Sequence, residues 1–145
     1  MGKRAAGILM PISSLPSDYG IGCFSKSAYE FVDWLKEAGQ TYWQILPLGP
    51  TSYGDSPYQS FSAFAGNPYF IDLDRLVEEG LLTEEECDAA DFGDNPRDID
   101  YGKIYFNRFP LLRRAYERWL KDGHTVAEAR EKLWPETVEY SFYMA

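Results

Sequence analysis

Between Arg4 and Pro50 the chain reads strand, loop, helix, strand, and this order limits the fold more than any other feature. "RAAGILMP" is a brief apolar run ended by Pro11, the pattern of a short buried strand. "ISSLPSDYGIGCF" is a loop by its Ser, Pro, Asp and Gly content. "SKSAYEFVDWLKEAG" is a helix: Ser25 can cap it, and Ala28, Phe31, Val32, Leu35 and Ala38 recur at helical spacing. Gly39 then stands where a left-handed C-terminal residue belongs. "TYWQILPLGP" supplies β-branched and aromatic residues as far as Pro47, with Trp43 expected in the core. A βαβ unit of roughly 40 residues forces parallel pairing and implies strands buried on both faces, in an α/β sheet or barrel.

Beyond residue 72 the pattern turns helical. "DLDRLVEEG" carries an Asp cap and a closing Gly, and Thr83 with Glu86 and Thr125 with Glu128 form capping-box pairs. From "DYGKIYFNRF" a helix is expected to run to Pro110 and restart there, with Phe109, Leu112, Tyr116 and Trp119 on one face. "WPETVEYSFYMA" ends on apolar residues without a cap, and one βαβ unit leaves only two strands with open edges. The expectation is the opening piece of a larger α/β protein. Residues 1–50 would form the first βαβ unit, 51–72 an aromatic loop, and 73–145 a helical subdomain truncated at its C-terminus.

Charge narrows the partners. With 14 basic against 23 acidic residues and a net charge of −9, the chain lacks the basic stripe that a phosphate backbone or an anionic membrane surface requires. The apolar run from Ala5 to Met10 is too short for a signal sequence, and no stretch approaches the ~18 apolar residues of a membrane span. Cys23 and Cys87 have no metal-ligand spacing and read as reduced structural thiols, which predicts a cytoplasmic protein. The one histidine, His124, reads as a solvated loop residue, so a zinc or Ser-His-Asp site is hard to build.

The segment "SYGDSPYQSFSAFAGNPYF" has neither helical nor strand spacing, yet it holds three Tyr and three Phe among turn residues. It follows a parallel-type strand, and ligands of α/β folds sit beyond the carboxyl ends of strands. Ser52, Ser56, Gln59, Ser60, Ser62 and Asn67 offer neutral donors and acceptors that suit sugar hydroxyls. Tyrosine rings can cover the apolar faces of a pyranose. No glycine-rich phosphate motif is present. Two readings stay open on composition: a loop packed on its own domain, or a saccharide site. Phe61, Phe64 and Phe70 have no polar handle and read as packing, whereas Tyr53 and Tyr58 are the better ligand candidates.

"GILMPISSLPSDYGIG", "YWQILPLGPTSYGDSPYQSFSAFAGNPYFIDL" and "DYGKIY" closely resemble the N-terminal part of the amylomaltases, the 4-α-glucanotransferases. The resemblance implies part of a (β/α)8 barrel with inserted helical subdomains and a retaining transfer of α-1,4-glucan segments to a sugar 4-hydroxyl. Its partners would be α-1,4-glucans, maltooligosaccharides and the remainder of the same polypeptide, with no cofactor and no metal. A retaining site sets two carboxyls about 5–5.5 Å apart. In the family these come from later strands, so no catalytic residue is assigned, and the chain alone is expected to be inactive. Asp55 lacks a partner motif, and Asp72 and Asp74 read as helix caps. Tyr58 matches the tyrosine that stacks on sugar at the cleavage point, with Ser56 and Gln59 beside it. Tyr53 and Tyr101 resemble a pair that forms a secondary glucan site. The alternative is a non-catalytic α-glucan-binding module.

Overall fold

Gly7, Ile8 and Leu9 form β1 (Gly7–Leu9), and each faces its parallel partner in β2 (Tyr42–Gln44): Tyr42, Trp43 and Gln44 respectively. The computed structural model describes residues 4–52, 54–62 and 65–133. Glycine at position 7 permits the close approach of the strands, since a Cβ there would stand 2.6 Å from the Tyr42 carbonyl oxygen. The crossover is α1 (Lys26–Glu37), which ends at Ala38 and Gly39, the latter at φ +70°. Ser25 occupies the N-cap position with extended backbone, but its hydroxyl pairs with that of Ser27 at 2.8 Å and caps nothing.

The expected apolar face of α1 is half right. Ala28 and Leu35 are buried, Phe31 is half-buried against Trp43 at 4.9 Å between ring centroids, and Val32 and Ala38 are exposed. Trp43 packs, as expected, on the small core of Ile12, Leu15 and Ala28, and its Nε1–H donates to the Met10 carbonyl at 2.8 Å. The strands are not buried on both faces: Leu9 is 56% and Tyr42 65% exposed. Among the described residues α1 covers one side of the pair and no element covers the other.

The helical part is α2 (Leu73–Glu78), α3 (Glu84–Asp88), α4 (Tyr101–Lys121) and α5 (Val126–Leu133). Its starts obey the local code. Asp72 accepts from the Asp74 amide, Thr83 and Glu86 complete a capping box, and Thr125 and Glu128 exchange the same two bonds. Asp74 is no cap: it lies in the first turn of α2 and accepts the Tyr19 hydroxyl at 2.8 Å.

Pro110 does not break the helix, and α4 runs through it for 21 residues. Pro110 and Phe106 both lie on the exposed side, where the carbonyl that loses its donor can be solvated. The buried stripe is Ile104, Arg108, Leu111 and Ala115, one step round from the expected face, so Phe109 and Tyr116 stay 38% and 47% exposed. This stripe closes the main core with Ile21, Leu73, Leu82, Cys87 and Phe92. Cys23 and Cys87 are free and buried, and His124 is exposed, stacked on Trp119 at 5.0 Å. The segment from Trp134 onward lies outside the described residues.

Candidate functional site

The carboxyl ends of β1 and β2 open side by side, and a small cavity of about 160 Å³ lies between Pro11–Ser13 after β1 and Leu46–Gly49 after β2. The aromatic loop is laid back across these ends. Gly49 admits it: a Cβ there would overlap the Ser60 side chain and stand 2.9 Å from the Ser62 carbonyl. Asn67, itself buried, donates its amide to the Leu48 carbonyl at 3.0 Å and accepts the Tyr69 amide on Oδ1 at 3.0 Å. With Pro68 at the first position, Asn67 thereby starts the 3-10 turn Pro68–Phe70 that aims Tyr69 inward.

A larger cleft of about 1060 Å³ opens from the small cavity, and the two share Thr51, Asp55, Asn67, Tyr69 and Tyr101. Its far wall is one face of α4, where Tyr101, Tyr105 and Phe109 follow at four-residue intervals. The rings adjoin: Tyr69 lies 6.2 Å from Tyr101 and 5.8 Å from Phe109, and Tyr105 lies 5.1 Å from Phe109. Phe61 and Phe106 line the cleft too and are 56% and 75% exposed.

Asp55 stands between the two cavities with φ +56°, a left-handed conformation uncommon for a side-chain-bearing residue. Its amide closes a turn onto the Ser52 carbonyl at 3.1 Å, next to Gly54 at φ +98°. Burial, and after it the charge of Asp55, push the Tyr69 and Tyr101 hydroxyls above the ordinary phenol value. Both are thus protonated at neutral pH and can donate as well as accept. Asp55 is the one carboxylate among the described residues that line the two cavities. Retaining glycosyl transfer needs two carboxyls, and the described lining of these cavities offers one.

The residues singled out in the sequence separate here. Tyr101 lines both cavities and is half-buried; Tyr53, its expected companion, and Phe64 lie outside the described residues. Tyr58 is 72% exposed, and neither it, Ser56 nor Gln59 lines either cavity. Ser56 fixes their backbone, accepting the Tyr58 amide on its hydroxyl at 3.4 Å and the Gln59 amide on its carbonyl at 3.1 Å. Phe61, expected to pack, faces the cleft, whereas Phe70 packs against both cores as expected. Tyr105 and Phe109 were not foreseen as lining residues. The signal in the sequence is an aromatic at every fourth position from Tyr101 to Phe109.

The 4-alpha-glucanotransferase family model matches residues 10–143. The chain is 61% identical over 123 residues to a 4-alpha-glucanotransferase of Streptococcus pneumoniae, covering 85% of this chain and 24% of the relative. It is 57% identical over 139 residues to one of Clostridium butyricum, covering 94% and 28%. Among solved structures, the amylomaltase from Streptococcus agalactiae in complex with acarbose superposes with a TM-score of 0.87 at 47% identity, covering 93% of this chain and 27% of that one. The chain spans about a quarter of the length of the curated relatives it matches.

Proposed function

The chain belongs to the 4-alpha-glucanotransferase family, and from that premise we propose that it forms the N-terminal, glucan-binding wall of such an enzyme. The wall is the first βαβ unit of a (β/α)8 barrel with a helical insertion, and its ligands are α-1,4-glucans and maltooligosaccharides. The observation that carries this reading is the ring-lined cleft at the carboxyl ends of two parallel strands, with Asp55, Asn67 and the tyrosine hydroxyls as its polar contacts. Sugar rings expose C–H faces and hydroxyls together, and this lining offers a partner to each.

Tyr58, with Ser56 and Gln59, is the group for the sugar at the cleavage point; its open ring is free to stack on a ligand outside the cleft. Tyr101 serves the secondary glucan site with Tyr53. Both displacement steps of a retaining transfer need a nucleophile and an acid/base from strands other than β1 and β2. Buried free thiols suit the reducing cytoplasm.

The test is a titration of the purified chain with maltoheptaose and a cyclic α-glucan, followed by tyrosine and tryptophan fluorescence, beside a maltotriose disproportionation assay. Saturable binding without disproportionation is expected. Disproportionation by the pure chain would overturn the division of labour, and no saturable binding would overturn the glucan reading. The other reading, a self-sufficient non-catalytic module, requires that transfer activity never appear when the remaining barrel strands are supplied.

A further inference from the structure

Arg108 is the largest fully buried side chain of the described residues and sits in the buried stripe of α4. Its Nη2 donates to the Ile71 carbonyl, while Nε and Nη1 have no hydrogen-bond partner. Among the described residues no carboxylate forms an ion pair with it; Asp72 is the charge that reaches it, and the neighbouring Cys23 and Cys87 thiols are neutral. A guanidinium placed so is costly to bury compared with an apolar residue of similar volume. Stability therefore does not account for an arginine here.

Geometry does. Two of the cleft's walls are α4, with Tyr101, Tyr105 and Phe109, and the segment Asn67–Tyr69. Arg108 lies on α4 directly before Phe109, and Ile71 follows the 3-10 turn that holds Tyr69. Ring packing between the walls can slide, because aromatic contacts tolerate a range of offsets. A charge-assisted bond to one carbonyl cannot. We infer that Arg108 is a positioning residue that fixes the register between α4 and the Asn67–Ile71 segment, and so the spacing of the rings that grip the ligand. The role of those rings rests on the glucan reading above; the register does not.

The experiment compares the purified wild-type chain with Arg108→Met and Arg108→Lys. Lysine can still donate to the Ile71 carbonyl, and methionine fills the volume without a donor. In Arg108→Met, amide hydrogen exchange over residues 67–73 should rise about ten-fold or more, as expected when a charge-assisted bond is lost. Its melting temperature should be equal or higher. Maltoheptaose affinity should fall about five-fold or more as the rings lose their spacing, and Arg108→Lys should restore most of it. Unchanged exchange in the methionine variant would overturn the register role. Faster exchange with full maltoheptaose affinity would overturn the link to the cleft. Loss of cooperative melting in both variants would show a general folding role and equally defeat the proposal. A wild-type chain that binds no maltoheptaose overturns the glucan reading alone, and the exchange comparison then decides Arg108 by itself.

Discussion

Asp55 holds a left-handed backbone at the cavities lined by the buried Tyr69 and the half-buried Tyr101, and its charge reaches both phenols. Strain of this kind costs of order 1 kcal/mol or more and persists where the surroundings impose it. Removing the charge while keeping a residue that tolerates the conformation is therefore informative. In Asp55→Asn the Tyr69 and Tyr101 hydroxyls should ionise at lower pH than in the wild type, yet still above free phenol because burial, the larger cause, is unchanged. A phenolate absorbance titration of the two proteins reads this directly, and superimposable curves would remove Asp55 from the site. The thiols give a second residue-scale expectation. Burial pushes Cys23 up to about 11 and raises Cys87, so neither should react with a thiol reagent at about pH 8 until denaturant is added. Single residues were legible in the sequence where the backbone alone decides them, as with Gly39 at φ +70°. Phe61 was not, because an aromatic without a polar handle looks the same whether it plugs a core or faces a ligand.

At the scale of elements, helix starts were legible because a cap is a contract between residues three apart, settled before any tertiary contact forms. The continuity of α4 was not. Proline in a helix interior costs about 3 kcal/mol against alanine, which favours a break. The buried stripe of Ile104, Arg108, Leu111 and Ala115, spanning both sides of Pro110, outweighs that cost. Pro110→Ala should accordingly stabilise the chain by about 1–3 kcal/mol in urea unfolding, less than the full propensity difference if the freed carbonyl is solvated. The bond between α3 and α4 makes a pH prediction. Glu86 caps α3, accepts from Arg118 at 2.7 and 2.8 Å and from Arg114 at 3.0 Å, and its carboxyl is held down to about 2 from 4.5. A depressed carboxyl adds stability above its unfolded value, and that stability is lost as pH falls from about 4.5 towards 2. Glu86→Gln keeps the cap but not the charge, so the wild type should lose more of its melting temperature than the variant between about pH 6 and pH 3. Equal losses would show that the arginines do not act on this carboxyl.

For the whole molecule, the parallel pair and its helical crossover were legible, and so was the resemblance that the family match bears out. The burial of the strands was misjudged for a physical reason. An apolar run reports the environment of a finished fold, and among the described residues only α1 packs on the two strands. What results is exposed apolar surface on the strands, Leu9 at 56% and Tyr42 at 65%, and on α1, Val32 at 48% and Trp34 at 52%, in a sheet of only two strands among the described residues. Such an edge can pair with another copy, and the apolar residues next to it gain from being covered. The chain should therefore self-associate as its concentration rises, with a sedimentation coefficient that increases over the micromolar range and a melting temperature that follows concentration. Charge on the edge is the remedy that natural sheets use, so Leu9→Lys with Tyr42→Lys should lower association while leaving the cleft on α4 intact. A wild-type chain that sediments as a monomer at every concentration, with one sharp melt, would mean that this face is satisfied in some other way. Association undiminished in the double lysine variant would place the contact elsewhere, with the exposed rings of the cleft itself the next surface to test.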